Sequence, residues 1–599
     1  MHIHPHTSIV SALLGTPNEQ FLIPSYQRRY SWRKEQLHAL LDDIDMIEGN
    51  DSHLLGTILC LSGAHTAGIN TLELVDGQQR LTTICIILEC LRERFEADGR
   101  TEQVEDLKRL LQTRVYGHPM KPKIALDTLD AEEFRRLAES VPEPDEHFHN
   151  GRLATAFSET RAWIGASTTE ELAGFLQKLL LKAIVVRLDV SQAKDAFKLF
   201  ETINNRGLKL SPSDIIKNFM LGNAARFGDE QLEVAKKSWA LLISHLDGTD
   251  ADSFFRFFLI SKVQTRLTKA GVVAEFEWHF MNEVFEAEKL PERHFYYYDD
   301  EESDDDGETL VPDSAEEQQA GEADAETVKK QTFVEFLKKL VRAAQVYGQL
   351  LKCDTGVAQI DRHLRNLRMI KSAQTYGFLM HLKAGGIDDK TFVKVLKLTE
   401  SFVLRRHICR ERANETETLF AELCKADPQD PLADIVEAYR EASPSDEKFR
   451  DEFAATVFTS NIMDRARYCL EQYEMAMHGK HAEIAILGSE DVHVEHIIPQ
   501  KIQSRRSQQE YGNWVEYLGE RLAHRHPKFV NRIGNLTLFA GELNIVASNN
   551  PFSMKKANYK LSSILATKEL TAMSQFKFPQ VDARSKQLAE FAIERWPAP

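Results

Sequence analysis

The stretch Val492-His493-Val494-Glu495-His496-Ile497-Ile498-Pro499-Gln500 reads as a short apolar strand that delivers a carboxylate and an imidazole, side by side, to its end. Downstream come Asn531-Arg532-Ile533-Gly534-Asn535-Leu536-Thr537-Leu538, then Asn544, Ser548-Asn549-Asn550-Pro551-Phe552 and Lys555-Lys556. Phosphodiester hydrolysis needs an activated water and help for a departing oxygen. A neutral imidazole accepts a proton from water near pH 7, which suits His496. A hard divalent cation takes up charge on the phosphate, and magnesium prefers oxygen ligands of the kind Glu495 and Asn544 carry. Strand geometry turns Glu495 and His496 to opposite faces, whereas a strand end or loop lets them converge. His-x-x-Pro or Asn-Leu-Thr-Leu alone is an ordinary structural pattern. The ordered set within one basic segment is the specific signal.

Charge is distributed to match. The 599-residue chain carries a net −17, but Asp299–Glu326 holds 14 acidic residues and no Lys or Arg, leaving −3 for the rest. From His496 to Lys560 there are 10 Lys/Arg against 4 Glu, a local +6, and local charge governs contact with phosphates. The acidic stretch is too polar to bury a core and is expected as a disordered insertion. Seven scattered cysteines, 60, 85, 90, 353, 409, 424 and 469, contain no Cys-x-x-Cys pair, which argues against a zinc ribbon and a disulfide framework. With no long apolar run and no signal-peptide pattern, the expected location is the cytoplasm.

Working outward, the expected class is α+β, predominantly helical and multidomain. Residues 1–225 read as mixed α and β, 226–445 as a helical middle with the acidic insertion 299–326, and 446–599 as a separate C-terminal domain. Strands are expected at Leu54–Leu61, Thr71–Val75, Ile184–Val190, Val492–Val494 and Ile533–Phe539. Helices are expected at Leu81–Phe95, Ala193–Ile203, Phe333–Leu351 and Thr391–Arg406, and from Asn544 after a turn. Gly207 suits a helix stop, and Ser211-Pro212 reads as N-cap and first turn of the next helix.

A second constellation lies near the start. Ile23-Pro24-Ser25-Tyr26-Gln27-Arg28-Arg29-Tyr30-Ser31-Trp32 precedes Glu73-Leu74-Val75-Asp76-Gly77-Gln78-Gln79-Arg80-Leu81-Thr82-Thr83. In the latter a strand feeds a glycine turn that feeds a helix, presenting backbone N–H groups to an anion. Gly77 allows close backbone approach, Arg80 can fork onto a phosphate, and Asp76 can hold a ribose hydroxyl or, through water, a metal. Gly-x-x-Arg by itself equally describes a plain turn. Gln27, Arg28, Tyr30 and Trp32 read either as a nucleotide or base face or as core and ion-paired residues.

The C-terminal set resembles the ββα-metal (HNH) nuclease fold, and more specifically the C-terminal domain of the GmrSD family of modification-dependent, type IV restriction endonucleases. The resemblance implies His496 as general base, Glu495 and Asn544 as metal ligands, Asn535 as the residue orienting the base's loop and Lys555 as a phosphate contact. It departs from the usual pattern in having Glu at the first ligand position and no downstream cysteines. Pro-x-x-Gln-Arg-x-Tyr-x-Trp, Leu55-Gly56-Thr57-Ile58, Asp76–Thr83 and Phe200-x-x-Ile203-Asn204-Asn205-Arg206-Gly207 resemble the N-terminal domain of the same family, which is similar to the ParB/sulfiredoxin fold. That resemblance implies a nucleotide site at Asp76, Gly77, Gln78, Gln79 and Arg80, binding and hydrolysing GTP or ATP while taking part in sensing modified DNA. The expected protein is a nucleotide-dependent DNA endonuclease with Mg²⁺ or another divalent cation as cofactor. Its middle would position the two ends and offer a homodimer contact. Two other classes stay open at this point: a nucleotide-regulated DNA-binding adaptor with an inactive nuclease fold, and a nuclease acting on RNA. His493 reads as a ligand or a structural histidine, His524 and His526 as surface residues, Asn205 and Arg206 as a helix cap or a site, and His2, His4 and His6 as a mobile start or a chelating one.

Overall fold

Apolar runs before residue 191 pair into one six-stranded mixed sheet. The structure is a computed structural model that describes residues 3–66, 68–114, 119–139, 146–204, 210–289, 330–479, 486, 488–502, 514–519 and 522–599. The strands are β1 (Ile3–Ile9), β2 (Glu19–Ile23), β3 (His53–Thr66), β4 (Ile69–Asp76), β5 (Ile124–Leu126) and β6 (Ala183–Val190), in spatial order β1-β6-β3-β4-β2-β5. β3 runs parallel to β6 and antiparallel to β4, with β2 parallel to β4. Ile58, Cys60, Leu72, Leu74, Val185 and Val190 are buried, as expected of strands covered by helices.

Helix α1 (Gln78–Ala97) leaves β4 directly and buries Leu81 through Leu88, Cys90, Leu91 and Phe95. A helix apolar on nearly all sides belongs inside a core, and this one is packed by the surrounding helices and the sheet. Helix α2 (Ala193–Asn204) follows β6. Helix α3 (Pro212–Phe227) begins as its sequence indicated: the Ser211 side chain accepts from the Asp214 N–H, and Pro212 takes the first position.

One expectation is overturned at the start. Ile3–Ile9 is no mobile tail but an edge strand, paired antiparallel with β6 from Ile3 opposite Val190 to Ile9 opposite Ile184. The hydrogen-bonding edge offered by β6 satisfies a backbone whose own sequence carries little strand signal. His2 lies outside the described residues, as does the side chain of His4; Asn205, Arg206, Gly207 and the acidic insertion 299–326 also lie outside them.

The chain forms two compact units. One comprises Met1–Phe255 with Thr268–Gln345, the other Arg256–Leu267 with Val346–Pro599, so the helices of 226–445 are divided between them. The second unit is helical around a two-stranded sheet, β7 (Val492–His496) antiparallel to β8 (Leu536–Ala540). Ile533–Asn535, expected as the start of that strand, is instead a 3₁₀ turn preceding β8. Helix α4 (Gly541–Ala547) begins at once after β8, so Asn544 lies inside it rather than at its start. Helices α5 (Phe552–Tyr559) and α6 (Phe578–Arg595) complete the surroundings. All seven cysteines are buried and free. Among the described residues no helix is long and apolar enough to cross a membrane.

Candidate active site and nucleotide site

In β7 the strand period sorts the two key side chains. Glu495, opposite Thr537, faces α5; His496, opposite Leu536, faces the loop before β8. They do not converge. Ile497 and Ile498 follow at 0% exposure and anchor the loop, each side chain contributing about 2–3 kcal/mol of burial. Asn535 clamps the same loop from across: its Oδ1 accepts from the Ile498 N–H at 2.8 Å, and its Nδ2 donates to the carbonyls of Ile498 at 2.9 Å and Val530 at 2.7 Å. The turn carrying Asn535 sits directly on α6. Arg584 donates to the Gly534 carbonyl at 3.0 Å, Ser585 Oγ accepts from the Gly534 N–H at 3.1 Å, and a Cβ at Gly534 would stand 2.1 Å from the Val581 carbonyl oxygen. Only glycine fits there, which explains why the strand expected at Ile533 is interrupted.

His496 Nε2 lies 2.8 Å from Asn531 Oδ1, which also accepts from Gln500 Nε2 at 3.2 Å. Gln500 Nε2 also lies 3.1 Å from His496 Nε2, so this ring nitrogen faces both an accepting amide oxygen and a donating amide nitrogen; the nearer contact, to Asn531, places the proton on Nε2 and leaves Nδ1 its lone pair. Burial pushes the imidazole below its usual value, nearby Lys555 adds to that, and the Asn531 contact opposes it. Burial therefore favours the neutral form of His496, and Asn531 orients its ring.

Lys555 is fully buried. Its ammonium donates to Glu495 Oε1 at 2.5 Å and to the His496 carbonyl at 2.9 Å, and the Tyr559 hydroxyl donates to the same Glu495 oxygen at 3.3 Å. Burial raises the Glu495 carboxyl and lowers the Lys555 ammonium, and their contact opposes both shifts. Asn544 is half-exposed on α4. His493 packs its ring on Gly541, where an added Cβ would stand 3.0 Å from Cε1. His526, expected at the surface, is buried and bonds the Pro499 carbonyl at 2.8 Å, because the helix Leu522–Phe529 turns that face onto the His496 loop. His524 is exposed. Asn531, Gln500, Tyr559 and Arg584 were given no role by the sequence; Asn531 and Gln500 lie inside the quoted motifs, and the other two carried no signal.

A divalent cation fits this arrangement poorly. Glu495 Oε1 is occupied by an ammonium and a hydroxyl, and a dication beside a buried ammonium is repelled. Among the described residues no group of three or more His, Cys, Asp or Glu is placed to hold a metal.

In the first unit, Asp76 ends β4 and Gly77 turns the chain at φ +88°. A Cβ at Gly77 would stand 3.0 Å from Ile58 Cγ1 and 3.1 Å from the Thr57 carbonyl oxygen, so both conformation and space demand glycine. Arg80 donates to the Thr57 carbonyl at 3.0 Å, in room left by Gly56. Gln79 pins the upstream loop: its Oε1 accepts from the Ser31 N–H at 2.7 Å and its Nε2 donates to the Arg29 carbonyl at 3.1 Å. Gln78 is buried, and its side-chain oxygen has no hydrogen-bond partner among the described residues. Burial raises the Asp76 carboxyl, against the Gly77 N–H, Arg80 and Lys217. Tyr30 is core, its hydroxyl 2.8 Å from Thr83 Oγ1, and Trp32 packs on the same core. Arg29 is ion-paired with Asp130 and Asp247, whereas Arg28 faces Asp214 at 3.3 Å and stays half-exposed.

Residues 10–221 match the GmrSD restriction endonuclease N-terminal domain, and residues 443–591 match the C-terminal domain of GmrSD restriction endonucleases, together more than half of the chain. The chain belongs to the GmrSD restriction endonuclease family. No curated protein matches it. The GmrSD N-terminal match contains Asp76 through Arg80, and the GmrSD C-terminal match contains Glu495, His496, Asn535, Asn544 and Lys555. As a restriction endonuclease the protein has DNA as its substrate.

Proposed function

We propose that this GmrSD protein cuts or nicks modified foreign DNA in the cytoplasm under the control of a nucleoside triphosphate, GTP or ATP, bound at Asp76–Arg80. The single observation that carries the cleavage half is His496: neutral by burial, held by Asn531 through Nε2, and mounted on a loop fixed by Asn535. Its Nδ1 takes the proton of the water that attacks phosphorus; the phosphodiester's oxygen leaves with the bonding pair. The basic residues between His496 and Lys560 favour the DNA backbone. The HNH-type and ParB/sulfiredoxin-like readings of the two ends rest on the motif sets. Magnesium remains the expected cofactor by family resemblance, but no step is assigned to it, because Glu495 is held by Lys555.

The test is incubation of purified protein with matched modified and unmodified DNA, with Mg²⁺ or chelator, and with or without GTP or ATP. The reading expects cleavage of modified DNA only, dependent on nucleotide; loss of cleavage with chelator would show that a divalent cation is needed despite the Lys555 contact to Glu495. Preferential degradation of RNA, or binding of every DNA without cleavage, would replace it.

A further inference from the structure

Helix α3 contributes a group that the motif at Asp76–Arg80 does not contain. Lys217 is 3% exposed. Its ammonium donates to Gln27 Oε1 at 2.5 Å and stands 3.7 Å from Asp214 Oδ1, beyond hydrogen-bond range. Burying an ammonium costs several kcal/mol unless anionic partners offset it. Its partners are one neutral amide, the displaced Asp214 carboxylate and the field of Asp76, with Arg28 opposing them. The Lys217 contact has a clear downstream effect. Gln27, itself 2% exposed, donates through Nε2 to the carbonyls of Leu74 at 3.0 Å and Val75 at 3.1 Å, the two residues before Asp76. An ammonium only donates, so Lys217 dictates which end of the Gln27 amide faces β4. Asp76 interacts with Arg80, Lys217 and Asp214, and Arg28 joins the group through Asp214 at 3.3 Å, so these five side chains carry one positive charge in excess. That balance suits an anionic ligand.

We propose that Lys217 is a positioning residue of the nucleotide site: through Gln27 it fixes the end of β4, so that the Asp76-Gly77 turn meets the phosphates of a nucleoside triphosphate in one geometry. The inference deepens the nucleotide reading above and rests on it. Lys217 acts on the ligand through the turn and through its field.

The experiment compares the full chain with Lys217→Met, Gln27→Met and the double variant, using MgGTP and MgATP hydrolysis and thermal unfolding. Each single variant is expected to lose at least tenfold in kcat/KM for the triphosphate. The double variant should lose no more than the worse single one, because both break the same link. If Lys217→Met does not fold, Gln27→Met alone carries the test. Folded single variants within twofold of wild type overturn the proposal, as do losses that multiply in the double variant. A wild-type chain that neither binds nor hydrolyses either nucleotide overturns the nucleotide reading and this inference together. A wild-type chain that hydrolyses nucleotide beside an unaffected Lys217→Met overturns this inference alone.

Discussion

The Asp76–Arg80 turn and the Glu495–Asn535 loop solve the same problem with opposite use of charge. Each is built on a tight segment that only glycine can occupy, Gly77 just after β4 in one and Gly534 just before β8 in the other. In each, side-chain amides tie down the backbone: Gln27 and Gln79 around the first, Asn535 around the second. The difference lies in the acids. Asp76 stays half-exposed near two cations, Arg80 and Lys217, whereas Glu495 is sealed against Lys555. A charged residue in a motif is thus not by its charge a ligand. Its partners decide whether it acts on substrate or holds the residues that do.

The largest expected effect separates those roles at Lys555. Lys555→Met leaves Glu495 buried and unpaired, and should destabilise the protein by about 3–5 kcal/mol in a denaturant titration. Lys555→Met with Glu495→Gln should recover most of it. A Lys555→Met protein of normal stability that binds DNA weakly would make the lysine a phosphate contact, as the sequence resemblance implied. Next comes Asn535→Ala, which orphans one N–H and two carbonyls. It should cost about 2–3 kcal/mol and reduce cleavage with it; cleavage at the wild-type rate would show that the loop needs no clamp. Gly77→Ala adds a side chain at positive φ against β3. We expect about 1–2 kcal/mol of destabilisation and loss of nucleotide hydrolysis, and unchanged hydrolysis would remove the turn from the site.

The smallest effect is a displacement on the pH axis. The base works in its neutral form, and burial holds the His496 imidazole below its ordinary 6.5. The rate should therefore fall at acid pH as the ring protonates, with the midpoint of that fall below 6.5. An acid limb centred above 6.5 would mean that His496 is not so buried in the working enzyme.

Much of the frame was legible because it is local. Ile184–Val190, Leu81–Phe95 and the Ser211-Pro212 helix start carry their own periodicity or capping chemistry, and each lies where the sequence placed it. The misses all depend on a distant partner. Ile3–Ile9 becomes a strand because β6 offers an edge. Ile533–Asn535 turns because Asn535 reaches Ile498 and Val530 while Gly534 meets α6. His526 is buried by the Pro499 carbonyl, and Lys555 turns inward to a carboxylate sixty positions earlier. Spacing shows that Glu495, His496, Asn535 and Lys555 belong together. It does not show which of them are bonded to one another.

The central claim is that His496 activates the attacking water. The direct measurement is the single-turnover cleavage rate of His496→Ala and wild type on the same modified DNA, with Mg²⁺ and nucleotide present and folding checked by thermal unfolding. The account predicts a loss of about a thousandfold with folding and nucleotide hydrolysis intact. Cleavage by folded His496→Ala within a few-fold of wild type would contradict it.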